Sequence, residues 1–304
     1  HYAPHARREV NMLRLSRSQR EVPYLFLLPA FIMIGLVFLF PIISVIADSM
    51  YSINGNTRTF VGFQNYATLM KNPIFWTALT NNFKFLLCVP LLVAGGVIMA
   101  LILYTQFPGW KVYRTIMLFP YIFSIAVTGI IFDVILRENG LLNSILSSIG
   151  LGNLVHNWLG ERQTALYAIM FVIIWKEFGY GVMLILARLL SVDESLIEAA
   201  RLDGASYFTI ARKILIPDAR AVISFFFVLS MINMLSWLFN YVYVLTKGGP
   251  INSTYVLDFY IYQLGAKFMN YGAASALAVM LLVITMLFVT IQAVGRRMLS
   301  SEDA

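Results

Sequence analysis

The stretch Phe85-Leu-Leu-Cys-Val-Pro-Leu-Leu-Val-Ala-Gly-Gly-Val-Ile-Met-Ala-Leu-Ile-Leu-Tyr-Thr-Gln-Phe-Pro-Gly-Trp110 carries no charge from end to end. Wound as a helix it is long enough to cross about 30 Å of hydrocarbon. Comparable charge-free runs lie on both sides of it: Val22 to Ala47, Thr115 to Phe132, Ala221 to Thr246 and Phe268 to Gly295. A further run, Thr164 to Ala187, has the right length and flanks but holds Lys176 and Glu177 near its middle. The pattern predicts an all-α integral membrane protein with six transmembrane helices. Composition agrees: 60% of the 304 residues are hydrophobic and 12% charged, with a mean hydropathy of +0.77. A single aqueous core cannot absorb that much apolar surface, so a soluble enzyme is excluded.

Cations set the orientation, because basic residues beside a span stay in the cytoplasm. With both termini inside, the inner segments hold the arginines between Arg7 and Arg20, then Lys111 and Arg114, the group from Arg188 to Arg220, and Arg296 with Arg297. The outer loops hold far fewer, among them Arg58, Arg137 and Lys247. The net charge of +7 therefore reads as cytoplasmic loops, not as affinity for nucleic acid. The first span, with Pro29 and Pro41 inside it, is too long for a cleaved signal peptide. The expected organisation is a cytoplasmic segment 1–21, a six-helix membrane domain 22–295 and a cytoplasmic tail 296–304. The one cysteine, Cys88, sits in an apolar run, so no disulfide or cysteine-based metal site is expected.

Three connections are longer than helix joining requires. Residues 48–80, outside, contain the turn signal Asn54-Gly55-Asn56 and predict a small ordered cap. Residues 137–162, also outside, place Leu141, Leu142, Ile145, Leu146 and Ile149 at helical spacing, an amphipathic helix at the interface. Residues 191–220, inside, are densely charged, with Asp193 as a helix N-cap and Gly204 as its stop.

Within this inner loop, Glu198-Ala199-Ala200, then Gly204, then Ile214-Leu-Ile-Pro217 resembles the EAA loop of permease subunits of binding-protein-dependent ABC importers, with Ile216 where the family has Leu. Phe60-Val-Gly-Phe-Gln-Asn-Tyr66, Asn143, Trp158, Trp175, Gly179, Tyr243-Val-Leu-Thr-Lys-Gly-Gly-Pro250, Ser253-Thr254 and Tyr260-Ile-Tyr262 look like its carbohydrate-uptake branch, and the tail like the first-named permease of the maltose-type pair. The resemblance implies a type I importer permease fold in the bacterial inner membrane. It also implies a second permease, two cytoplasmic ATPase subunits and an extracytoplasmic solute-binding protein as partners. Glu198, Ala199, Ala200, Asp203, Gly204 and Pro217 would couple this chain to the ATPase.

Physical chemistry supports such a use of the loop. A short surface helix can seat in a partner's cleft, with Glu198 offering a carboxylate, Ala199 and Ala200 allowing close approach, and Gly204 permitting a sharp exit. Pro217 is expected to fix the return into the fifth span. The phosphate-cradling pattern G-x-x-x-x-G-K-[ST] is absent, so no catalytic residue, metal or cofactor is assigned to the chain, and ATP with Mg belongs to the partner subunits. A secondary transporter usually has more spans and intramembrane carboxylates for ion coupling, which disfavours that alternative.

Polar groups that lipid would not tolerate mark the transport path: Asn81, Asn82, Lys84, Asp133, Lys176, Glu177, Asn233, Asn240, Tyr241 and Tyr243. Aromatic faces beside amides suit a sugar. Other solutes, such as glycerol phosphate or a polyamine, are the alternative. A lysine midway along a span needs a receiver: an acidic oligosaccharide is one, a carboxylate such as Asp133 another.

Overall fold

A computed structural model describes residues 17–54 and 57–301, with side chains for 26–53 and 57–295. The chain divides after Ala47. The first unit is a single apolar rod, α1 (Arg17–Ile34) and α2 (Phe40–Asp48), joined through a π turn at Gly35–Leu39.

The second unit begins with the outer cap. Strands β1 (Tyr51–Asn54) and β2 (Thr57–Phe60) pair antiparallel, Tyr51 opposite Phe60 and Asn54 opposite Thr57. The tip of the predicted turn, residues 55 and 56, lies outside the described residues. Asn65, on α3 (Gln64–Lys71), ties the cap down by donating to the carbonyls of Ser49 and Tyr51 at 2.8 and 2.9 Å. Tyr66 reaches the Ser49 hydroxyl at 2.7 Å.

The second span starts earlier than its charge-free run. Asn72 accepts from the Ile74 N–H at 2.9 Å, Pro73 opens the helix, and α4 (Pro73–Phe85) continues into α5 (Cys88–Tyr104). The polar residues that hid this turn have internal partners. Asn81 donates to the carbonyls of Ser253 and Tyr255, both at 2.8 Å. Asn82 donates to the Leu235 carbonyl at 3.0 Å and accepts from the Leu257 N–H at 2.8 Å. Both are buried, so they are clamps holding the outer loop to the bundle. Replacing Asn82 by Leu strands the Leu257 N–H and the Leu235 carbonyl in a dry site, an expected loss of about 2–3 kcal/mol. Thermal unfolding of the detergent-solubilised protein measures it, and an unchanged midpoint would contradict the clamp.

The third span is not straight. Helix α6 (Trp110–Ile122) and the segment Ile125–Ser148, which opens with α7 (Ile125–Leu136), are bent by 99°. Pro120 removes a donor near the end of α6, Phe123 is extended, and Ser124 caps α7 by accepting from Val127 N–H. After α8 (Leu141–Ser148) comes α9 (Ala165–Leu189), the centre of the bundle, packed by α5 and α6 and by the later helices Ile216–Ser236 and Phe239–Leu245. Among the described residues, five helices are long and apolar enough to cross a membrane, six if the bent pair forms one span.

The fifth span also departs from expectation. It runs Tyr207–Ser236, not Ala221–Thr246, as α11 (Tyr207–Ile210), a π turn at Ala211–Leu215 and α12 (Ile216–Ser236). Pro217 therefore lies inside the span. The wide turn, in which the Ile216 N–H reaches back to the Ala211 carbonyl, precedes a residue with no donor of its own. The return from the cytoplasmic loop is set by Ser206, whose hydroxyl accepts from Thr209 N–H. The apolar run's last part is a separate helix, α13 (Phe239–Leu245), followed by α14 (Leu257–Tyr262) and α15 (Tyr271–Ser301).

Candidate functional site

The loop 191–220 forms a short helix, α10 (Glu194–Leu202). Asp193 caps it, accepting from Ser195 N–H at 3.0 Å, and this bond holds the Asp193 carboxyl below its usual range. Glu194 in the first turn and Arg201 in the last complement the helix dipole. At the other end Gly204 adopts φ +81°, Gly204 N–H returns to the Arg201 carbonyl and Ala205 N–H to the Ala200 carbonyl. Two otherwise free carbonyls are satisfied by a turn that only a left-handed residue allows.

One face of α10 is anchored and the other is free for contact. Ile197 is buried, with Ala200 and Ala205 packed beside it. Glu198, Ala199 and Asp203 are exposed, and Leu202 is 90% exposed beside Phe208 at 73%. Among the described residues Glu198 has no ion-pair partner. Behind the loop, Tyr207 donates to the Leu101 carbonyl at 2.5 Å, and Arg188 pairs with Asp218 at 2.7 Å.

A second cluster lies between α9, α12 and α13. The Tyr241 hydroxyl donates to Glu177 Oε1 at 2.7 Å. Two cavities flank this pair, sharing Glu177, Asn233 and Met234 as walls. One, of about 80 Å³, adds Ile125, Trp237 and Tyr241; the other, of about 150 Å³, adds Tyr121, Tyr180 and Ser230. Tyr121 and Tyr180 stack with ring centroids 4.8 Å apart. Tyr180, Ser230 and Trp237 were not singled out from the sequence, yet Glu177 with Tyr180, and Ser230 with Asn233 and Trp237, stand at helical spacing. That spacing was the available signal.

The other candidates go elsewhere. Lys176 is 5% exposed and donates to the Tyr121 carbonyl at 2.9 Å, with its ammonium 5.2 Å from the Tyr121 ring centroid. Asp133 pairs with Arg137 at 2.9 Å, not with Lys176. Asn82 and Asn81 are the clamps described above, and Lys84 is exposed. Asn240 is exposed, and Tyr243 stacks on Phe239 at 5.4 Å in an aromatic group with Tyr262.

In the loop 137–162, Asn143 of α8 is 3% exposed and joins two stretches of loop. It donates to the carbonyls of Glu138 and His156 at 2.8 and 2.7 Å and accepts from Trp158 Nε1 at 2.8 Å. Residues 137–162 are thus an ordered platform whose apolar residues Leu141, Ile145 and Ile149 remain exposed.

Comparison with known proteins places these features together. Residues 65–300 match the family described as binding-protein-dependent transport system inner membrane component. A probable ABC transporter permease protein, YurN of Bacillus subtilis, is 34% identical over 88% of this chain and 94% of its own length. The lactose transport system permease protein LacF of Rhizobium radiobacter is 32% identical over 90% and 94%. The arabinooligosaccharides transport system permease protein AraP of Bacillus subtilis is 30% identical over 97% and 95%. Among solved structures, a bacterial ABC transporter involved in the import of the acidic polysaccharide alginate superposes with a TM-score of 0.80 at 24% identity, covering 92% of this chain and 96% of that one, which establishes the fold. With its family shown over most of its length, the chain belongs to the inner membrane components of binding-protein-dependent transport systems and is an ABC importer permease.

Proposed function

We propose that this permease carries a sugar or oligosaccharide. The observation that carries the reading is the pair of cavities around Glu177: stacked Tyr121 and Tyr180 offer apolar faces, while Asn233, Ser230 and Glu177 offer hydrogen bonds. Sugars need both, a ring face to stack and hydroxyls to bond. The lactose and arabinooligosaccharide names of two relatives support the same class.

In the assembled importer a second permease completes the path, and two ATPase subunits receive the exposed face of α10. The chain supplies no bond-breaking chemistry of its own; ATP and Mg act in those subunits. A loaded solute-binding protein docks on the cap, the Asn143 platform and the loop after α13. Binding energy from both sides then biases a bundle with two arrangements. The distribution of cations supports an orientation with both termini on the cytoplasmic side of the inner membrane.

Proteoliposomes holding the full complex, with ATP inside and loaded binding protein outside, test this. Vanadate-sensitive uptake of a labelled disaccharide or trisaccharide is expected. Uptake of a polyamine or glycerol phosphate, with no sugar taken up, overturns it. Cysteines at the exposed positions Thr59, Ser147 and Ile251 are expected to cross-link to the binding protein. Absence of a cross-link from all three, in every nucleotide state, counts against the outer dock.

A further inference from the structure

Two opposite charges stand side by side at the centre of α9, and the structure uses them differently. The Lys176 ammonium is turned away: it is buried, bonded to the Tyr121 carbonyl, and a wall of neither cavity. That carbonyl lies at the end of α6, just before the 99° bend, where helix carbonyls lack internal donors and the dipole's negative end favours a cation. Lys176 is thus absorbed by the bend.

Glu177 is the reverse case. It walls both cavities, its Oε1 is fixed by the Tyr241 hydroxyl, and among the described residues its Oε2 has no hydrogen-bond partner. Tyr241 cannot turn to offer another donor without giving up the bond that orients the carboxylate. What the cavities present to a solute is therefore one oriented carboxylate among neutral amide, hydroxyl and aromatic groups.

We propose that Glu177 sets the charge specificity of this path: it accepts hydrogen bonds from hydroxyl or amino groups, so neutral and amino sugars pass and uronate-bearing sugars are rejected. An anionic solute would bring a second carboxylate beside the first, with Lys176 already committed to the backbone. Discrimination by a built-in like charge is the repulsive half of specificity. The inference rests on the sugar-import reading and narrows it.

The test uses the assembled, detergent-solubilised importer without its binding protein, so that the latter's own selectivity does not enter. Calorimetric titration with three disaccharides of one linkage compares cellobiose, its diamino analogue built from two glucosamines, and cellobiouronic acid. The expected order places the neutral and amino sugars at least about tenfold tighter than the uronate, a difference of about 1.4 kcal/mol. Glu177→Gln, nearly isosteric, is expected to bring the uronate within about threefold of the neutral sugar. Tyr241→Phe, which leaves the charge in place but frees it, is expected to weaken all three while keeping the uronate last. Tightest binding of the uronate by the unmodified complex, or an unchanged ranking in Glu177→Gln, overturns the proposal. So does absence of binding by all three. In that last case sugar-stimulated ATP hydrolysis with binding protein present shows the import reading still standing, and its absence shows that reading to have failed as well.

Discussion

Replacing Glu198 by Lys is expected to abolish coupled transport while leaving the protein folded and inserted. The side chain is exposed on a helix anchored by the buried Ile197, its chain neighbour about 100° around the helix, and it has no ion-pair partner among the described residues to lose. Its folding cost is therefore that of a surface change, within about 0.5 kcal/mol. Docking is another matter. Reversing a charge that a partner covers leaves like charges facing each other, and losing one member of a desolvated pair alone costs about 2–5 kcal/mol. A drop on the order of a hundredfold in binding-protein-stimulated ATP hydrolysis follows, with normal amounts of protein in the membrane. Gly204→Asp adds strain instead of charge reversal alone. At φ +81° a side chain costs about 1–2 kcal/mol, but no atom lies within 4 Å of the new Cβ, so the helix end shifts without a clash. Uptake and membrane content, measured together, decide: normal uptake in Glu198→Lys would remove α10 from the coupling route.

How much of this was written locally in the sequence differs by element. Helix α10 was legible from its ends, because Asp193 and Gly204 act on their own neighbours. So were the cap and α8, where turn signals and helical spacing are short-range. The break between α12 and α13 was not. Nothing at Ser236-Trp237-Leu238 resembles a stop; the helix restarts there because Asp258, from a later helix, accepts the Phe239 N–H at 2.6 Å. The start of α4 was masked by Asn81 and Asn82, which look like loop residues until their backbone partners beyond Leu235 are known. The cytoplasmic half of the fifth span was masked by Arg212, Lys213 and Asp218, and Asp218 is matched by Arg188 of α9. Lys176 shows the same limit within the site. Its receiver was sought among carboxylates and ligands, whereas a bent helix offers a main-chain carbonyl that no side-chain pattern reveals.

Gly179→Ala is expected to be the most damaging single methyl group in the bundle. A Cβ built at Gly179 would stand 1.8 Å from the Met117 carbonyl oxygen, 2.6 Å from its carbon and 3.0 Å from the Leu118 Cα. All three are backbone atoms of α6, so no rotamer change relieves the overlap and the two helices must part. Alanine's better helix propensity returns only about 1 kcal/mol. Overpacking against a yielding side chain costs about 1–3 kcal/mol, and here the whole of α6 has to yield, which puts the loss above that range. Function should fall with stability, since Tyr121 lies one turn beyond Met117 and its carbonyl is the seat of Lys176. Gly96→Ala is the control: it lies on α5 and packs on the same α9, facing Gly181 and Ile185, but its nearest contact would be an ordinary 3.5 Å to a side-chain methyl. Thermal unfolding in detergent, with sugar uptake, is expected to show Gly96→Ala near the unmodified protein and Gly179→Ala either absent from the membrane or unfolding at least about 5 °C lower. Equal midpoints for the two variants would mean that α6 does not rest on α9 at Gly179, and the seat of Lys176 would have to be placed elsewhere.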